Sequence, residues 1–204
     1  MKMKIAELKK QISNTVSMEE YVESLKKKEP TIVFRNYSEP TTPPCLESDV
    51  KKFDFKKNPR PTDDIMNAFG TKPNIPGINV VNAIRAALGP GGYALHISDG
   101  SYTGYSIWEI QEFMKNFDST NLRVWISETF DCDDFAQVLQ GNANGFFPGI
   151  AFGTIWYGDK ANTWGHAVNI LYDYVGNKAW LVEPQNDIFY EFRKDLWVPW
   201  VVMI

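Results

Sequence analysis

Helical patterns dominate the first part of this sequence, and three consecutive strand-like segments follow near its end. Apolar residues recur at helical spacing over residues 3–28, 76–88, 105–117 and 132–140. Strands are predicted over residues 150–157, 164–174 and 178–182, and over the shorter segments 93–98 and 122–127. Helices that precede a run of antiparallel-looking strands are typical of the α+β class. We therefore expect N-terminal helices packed on a C-terminal antiparallel sheet.

Charge and aromatic residues divide the chain into two parts. Residues 1–60 carry a net charge of +4 and residues 61–204 a net charge of −8, and all seven tryptophans lie at or beyond Trp108. Residues 38–61 are rich in proline and charge, which is typical of an extended linker. The sequence thus predicts a helix and proline-rich strap over 1–61, and an α+β domain over 62–204 that begins with a short helix at 62–68.

The composition excludes several classes of protein. No run of about 18 apolar residues is present, so no membrane-spanning helix is expected. Two cysteines, Cys45 and Cys132, are too few for a disulfide framework. The first residues lack the apolar segment of a signal peptide, so we expect a protein that is cytoplasmic or released without a classical signal. The acidic domain argues against a nucleic-acid partner.

Cys132 is the candidate nucleophile. It follows Asp131, a favourable N-cap residue, and would therefore lie in the first turn of a helix. The helix dipole stabilises a thiolate at that position, whereas the adjacent Asp133 and Asp134 act against it. A partner imidazole is therefore needed to stabilise the Cys132 thiolate. The other cysteine, Cys45, follows Pro44 in the strap and is interpreted as an ordinary thiol.

His166 is the candidate partner of Cys132, because it begins a predicted strand behind the small residue Gly165. A cysteine that opens a helix and a later histidine that opens a strand is the order found in papain-type enzymes. The other histidine, His96, alternates with apolar residues and is interpreted as structural.

A third residue would orient the imidazole. If residues 176–177 form the turn, Asp187 pairs with His166, and Glu183 lies roughly 13 Å along the strand. That geometry favours Asp187 or Gln185 over Glu183.

The motifs around these residues carry a family resemblance. The segments DCDDFA (131–136), GHAVN (165–169) and VEPQN (182–186) resemble the papain-like cysteine-protease domain at the C-terminus of the fairy-ring mushroom agglutinin. The resemblance implies a papain-like fold with Cys132 as nucleophile, His166 as general base and Glu183 as the orienting carboxylate. It also implies a cysteine peptidase that acts on a peptide or protein through a thioester, or a related amidase or acyltransferase.

That family is calcium-dependent, which implies a cation site near the proposed triad. Asp133, Asp134, Gln185 and Asn186 offer the carboxylate and amide oxygens that calcium prefers. A bound cation would also neutralise the two aspartates beside Cys132.

A second hypothesis makes the chain a non-catalytic module that binds carbohydrate or protein. Its aromatic-rich surface would be drawn from six residues, although most are expected in the core: Trp156, Tyr157, Trp164, Trp180, Trp197 and Trp200. Self-association through the N-terminal helix is a further expectation.

Overall fold

A computed structural model describes residues 47–62, 71–127 and 129–204. The predicted helix at 3–28, Cys45 and most of the predicted helix at 62–68 lie outside these ranges. The proposed domain boundary at 61/62 and self-association through the first helix therefore stay predictions. The elements below all belong to one compact unit.

Three α-helices and one 3₁₀ turn lie in the described residues. They are α1 (Gly77–Leu88), α2 (Ile107–Asn116), the 3₁₀ turn Thr120–Leu122, and α3 (Cys132–Phe146). Ser106 caps α2. Its hydroxyl accepts a hydrogen bond from the backbone N–H of Glu109, and the Glu109 carboxylate accepts one from the backbone N–H of Ser106. This reciprocal arrangement satisfies two N–H groups that would otherwise lack partners. In the described ranges no helix is long and apolar enough to cross a membrane.

Within residues 47–62, 71–127 and 129–204, eight strands form two sheets. The strands are β1 (Asn74–Pro76), β2 (Ala94–His96), β3 (Ser101–Thr103), β4 (Phe152–Asp159), β5 (Gly165–Asp173), β6 (Lys178–Glu183), β7 (Ile188–Tyr190) and β8 (Trp197–Met203). β1 and β3 pair with each other, and the other six follow the order β2-β8-β4-β5-β6-β7. Only the β2–β8 pair of these six strands is parallel. The α+β class is thus confirmed.

The large sheet is covered on both faces. Val168 and Ile170 of β5 pack in one apolar cluster with Val80 and Ile84 of α1. Leu171 points the other way and packs in a second cluster with residues of α2 and α3. Successive side chains on a strand point to opposite faces, so each strand contributes to both clusters. This burial on both sides explains why β5 is almost continuously apolar.

One predicted strand is wrong. The segment at 122–127 (LRVWIS) follows the 3₁₀ turn and has only a single bridge, between Ile126 and Phe130. Val124 is 75% exposed and Ile126 is 51% exposed. The β-branched and aromatic residues of this segment resemble a strand, but they lie at the surface with no sheet beside them.

Candidate functional site

Cys132 is the first residue of α3, as the sequence predicts, and it is partly buried. The Asp134 carboxylate accepts a hydrogen bond from the backbone N–H of Asp131 at 3.1 Å, which fixes the start of the helix. Asn169 of β5 donates to the backbone carbonyl of Ala136 and thereby ties the first turn of α3 to the sheet.

Acidic groups surround the Cys132 sulfur. The Sγ atom and one carboxylate oxygen from each of Asp131 and Asp133 lie within 4.8 Å of one another. The pKa of Asp133 is raised to about 6, first by its side-chain hydrogen bond with Asp131, then by burial and by the charges of Asp131 and Asp134. Negative charge at this distance opposes a thiolate, the form in which cysteine is a nucleophile.

His166 and Glu183 form a buried pair on the sheet. The Nε2 atom of His166 lies 2.8 Å from Oε2 of Glu183, and the side chains are 3% and 0% exposed. The Nδ1 atom of His166 is buried without a hydrogen-bond partner among the described residues. Tyr157 packs its ring edge-on against the imidazole at 5.9 Å. By strand alternation this pair lies on the face covered by α1, whereas α3 packs against the face that carries Asn169.

The strand register explains why Glu183, and not Asp187, contacts His166. β5 and β6 pair Asn169 with Val182, so the connection spans residues 174–177 and not only 176–177. Glu183 consequently lies across from Val168, two positions from the histidine on the same face. The prediction that geometry favours Asp187 or Gln185 is therefore wrong.

The four predicted calcium ligands divide between two elements. Asp133 and Asp134 lie in the first turn of α3, where the Asp134 carboxylate is engaged in the cap. Gln185 and Asn186 lie between β6 and β7, where the Asn186 side-chain oxygen accepts a hydrogen bond from the backbone N–H of Ile188. Two of the four side chains thus already accept hydrogen bonds from backbone groups, and calcium binding stays a prediction.

The exposed aromatic residues are not those that the sequence singled out. Tyr157, Trp180 and Trp197 are buried, and Trp156, Trp164 and Trp200 are partly buried. Phe117 and Phe146 are instead 69% and 49% exposed, with ring centroids 5.1 Å apart. Their sequence signal is weak, because each stands at the C-terminal end of an amphipathic helix, where a core position and a surface position look alike.

A cavity of about 390 Å³ lies beside α2. Its polar lining comes from α2, the 3₁₀ turn and the β6–β7 connection: Gln111, Lys115, Asp118, Asn121 and Asp187. Met114 and the exposed Leu122 supply apolar surface. The volume lies within the range of about 300–1,000 Å³ that small-molecule sites occupy. Phe117 directly precedes Asp118, but neither Phe117 nor Phe146 lines the cavity.

Asp187 is a partly buried carboxylate of the cavity lining. Its Oδ2 accepts a hydrogen bond from Asn121 at 2.7 Å, and its Oδ1 is buried without a partner among the described residues. Burial, with a smaller contribution from Asp118, raises the pKa of Asp187 to about 6. Its backbone φ of 59° lies in the left-handed region, which asparagine and aspartate adopt more readily than other residues with a Cβ.

The Asp187→Asn substitution is expected to stabilise the fold at neutral pH. The pKa of Asp187 is about 6 in the folded chain, above the value of 3.8 for a free aspartate. Below about pH 4 the carboxyl group is protonated in both the folded and the unfolded chain and does not affect stability. Between about pH 4 and 6 it ionises more readily in the unfolded chain, so the folded chain loses stability as the pH rises. The full shift corresponds to about 3 kcal/mol, which partial exposure reduces to about 1–2 kcal/mol. Urea denaturation should show this gain at pH 7.5 and not at pH 4.

Asp195→Asn, at an exposed carboxylate whose pKa Arg193 lowers to about 2, should show no gain. Equal effects of the two variants at pH 7.5 would contradict the prediction.

Comparisons with solved structures show what this fold resembles. The complex of PSL1a with E64 matches with a TM-score of 0.56 at 23% identity, over 66% of this chain and 52% of that chain. The lectin of Polyporus squamosus, bound to the human-type influenza-binding epitope Neu5Acα2-6Galβ1-4GlcNAc, matches with a TM-score of 0.53 at 23% identity, over 66% of this chain and 50% of that chain. This chain thus has a fold similar to part of a mushroom lectin, and it spans about half the length of those proteins. No family model and no curated protein matches the sequence.

These neighbours correct the predicted function. The sequence predicts a cysteine peptidase with a Cys132–His166–Glu183 triad that acts on a peptide substrate, whereas the similar solved structures are those of a carbohydrate-binding lectin. The prediction of a cysteine protease is therefore wrong, and the hypothesis of a non-catalytic binding module is the better supported one. The prediction failed because short motifs around a cysteine and a histidine can be shared by proteins with the same fold and different functions.

Proposed function

We propose that this chain is a non-catalytic module that binds carbohydrate. The observation that carries the proposal is the exposed Phe117–Phe146 pair, whose ring centroids lie 5.1 Å apart at the surface. Aromatic side chains are common in the lining of small-molecule sites.

The two phenylalanines supply the apolar half of the site. The exposed parts of these rings bring no folding energy from burial, and an exposed apolar patch is a common feature of interaction sites. Sugar rings present one face of C–H groups, which packs on an aromatic ring, and an edge of hydroxyls, which hydrogen-bonds to polar side chains. Phe113, which is 4% exposed, lies 4.9 Å from the Phe146 ring and supports it from the core.

The solved structures add support from outside the chain. The Polyporus squamosus lectin is seen with a sialylated trisaccharide, so a related fold occurs in a protein that binds glycans. Because this chain spans about half of that protein, its own ligand must be established by experiment. The papain-like description of the fold stays a prediction, and the carbohydrate proposal does not depend on it.

Removal of either ring is expected to weaken glycan binding. Phe117→Ala and Phe146→Ala each remove one exposed ring, and a stacked aromatic contact contributes about 0.5–1.5 kcal/mol beyond the area that it buries. We expect each variant to bind a glycan at least about threefold more weakly in titration calorimetry. Ile78→Ala, at a 60% exposed residue of α1, is the matched control and should leave affinity unchanged. Equal affinity in all three variants would remove the aromatic pair from the site.

A further inference from the structure

A second cavity, of about 310 Å³, lies beside α1, and we call it the α1 cavity. Its walls are the second half of α1, the β5–β6 connection with the start of β6, and residues 191–194, which follow β7. The buried residues of its lining are Ala83, Ala179 and Phe192, which present apolar surface to the interior. A volume of this size accommodates a small molecule, and such a lining can bury the apolar part of one.

The polar groups of the α1 cavity are mainly hydrogen-bond donors. Asn177, Lys178 and Lys194 line it, and Glu191 is the one carboxylate among the described lining residues. Asn177 and Lys194 are exposed, and the Lys178 side chain is 37% exposed, so solvent reaches all three. The side-chain oxygen of Asn177 accepts a hydrogen bond from the Tyr172 hydroxyl at 2.8 Å, which leaves its N–H₂ group to face a ligand. A ligand that supplies acceptors therefore matches this lining.

Positive charge is in excess around the α1 cavity. Lys178 and Lys51 share the Glu191 carboxylate, at 2.5 Å and 2.6 Å, so two ammonium groups meet one negative charge. The ammonium group of Lys194 donates to the backbone carbonyl of Ala86 at 2.9 Å and forms no ion pair within the part of the chain that the structure describes. A neutral carbonyl does not cancel that charge, so the cavity favours an anionic ligand over a neutral or cationic one.

Contacts with the protein hold both lysines of the lining in place. The bond to Ala86 fixes the Lys194 ammonium against α1, and two of its three N–H groups remain for a ligand. The Lys178 ammonium lies 4.2 Å from the centre of the Trp180 ring and is also held by Glu191. Less side-chain freedom is then lost when a ligand binds, which favours affinity.

We propose that the α1 cavity binds a small organic carboxylate. The carboxylate accepts a hydrogen bond from Lys194, whose charge is otherwise unpaired, and the amide of Asn177 supplies a further donor. The apolar body of the ligand packs on Ala83, Ala179 and Phe192, which is why an organic anion is favoured over an inorganic one. The exposed aromatic pair is not part of this site, so the inference does not depend on the proposed carbohydrate binding.

Three probes of one shape and different charge test this inference: benzoate, benzamide and benzamidinium. The chain is labelled with ¹³C in its alanine methyl groups and titrated by NMR, because the methyls of Ala83, Ala87 and Ala179 line the cavity. Ala143 of α3, which packs in the other apolar cluster, is the internal control. Benzoate should shift the three lining methyls saturably and bind at least about tenfold more tightly than benzamide, because hydrogen bonds between charged groups are the stronger ones. Benzamidinium should cause no shift.

Lys194→Gln is the variant that tests the anchoring cation. It removes the charge of an exposed side chain, so we expect benzoate to bind at least about fivefold more weakly, with little change for benzamide. Lys115→Gln, at an exposed lysine of α2 that does not line the α1 cavity, is the matched control and should keep wild-type affinity.

Several results would overturn the inference. Benzamide that binds as tightly as benzoate, or wild-type affinity for benzoate in Lys194→Gln, would show that the positive charge does not select the ligand. Inorganic phosphate that binds as tightly as benzoate would remove the role of the apolar lining. Absence of any benzoate-dependent shift in the lining methyls at millimolar concentration, or shifts at Ala143 alone, would show that the α1 cavity is not the site. None of these results bears on the proposed carbohydrate binding, which the phenylalanine variants test.

Discussion

His166→Ala is expected to lower the free energy of unfolding by about 3–5 kcal/mol, because it leaves a buried hydrogen-bond partner unsatisfied and opens a cavity where the imidazole packs. The substitution leaves the Glu183 carboxylate, whose side chain is 0% exposed, without its partner at 2.8 Å. One backbone N–H, that of Gln185 at 3.4 Å, still donates to the other oxygen of that carboxylate. Urea denaturation at neutral pH measures the loss.

A second substitution identifies the cause of this loss. Glu183→Gln in the His166→Ala background replaces the buried carboxyl group with a neutral amide, so the double variant should recover part of the stability that His166→Ala loses. Glu191→Gln is the matched control, because Glu191 pairs with Lys178 near the surface and should contribute less than about 1 kcal/mol. Strictly additive effects of His166→Ala and Glu183→Gln would show that the two side chains do not act as a pair.

Gly153→Ala is expected to destabilise the chain by about 3 kcal/mol or more, or to prevent it from accumulating in folded form. Gly153 lies in β4 opposite Ile170, where a Cβ atom would overlap the carbonyl oxygen of Met203 and lie 2.9 Å from Cα of Ile204. Both obstacles are backbone atoms of the C-terminal segment, so relief requires a shift of β8 and not a change of rotamer. The yield of soluble protein and its urea midpoint measure the effect.

Gly141→Ala provides the contrast. Gly141 lies in α3, and a Cβ there has no atom within 4 Å apart from its own helix and its chain neighbours. Alanine favours the helix over glycine by about 1 kcal/mol, so this variant should gain stability. A loss of stability in Gly141→Ala, or a tolerated Gly153→Ala, would contradict the packing described for these two positions.

The sequence predicts the elements whose periodicity is reinforced by burial. The helices at 76–88, 105–117 and 132–140 and the strands at 150–157, 164–174 and 178–182 all occur, with bounds shifted at their ends. β8 (Trp197–Met203) was not predicted, because Pro199 lacks an N–H group and is disfavoured inside a sheet. Pro199 pairs with Tyr157 at the point where the β4–β8 register shifts, between Trp156 and Tyr157.

The site was less predictable, because it depends on contacts distant in the sequence. A longer β5–β6 connection moves Glu183 by two positions toward His166, and no local pattern reveals that length. Asn121 and Asp187 are 66 residues apart and meet only in the folded chain. The motifs around Cys132 were visible locally and led to the wrong function, since they carry no information on what surrounds the cavity beside α2.

The central claim is that this chain binds carbohydrate without altering it. Titration calorimetry of the wild-type chain with glycans that bind it on a glycan array tests this directly, with mass spectrometry of the glycan after prolonged incubation. The proposal predicts saturable binding and recovery of the glycan at unchanged mass. Absence of binding to every glycan, or recovery of a glycan that has been cleaved, would contradict it.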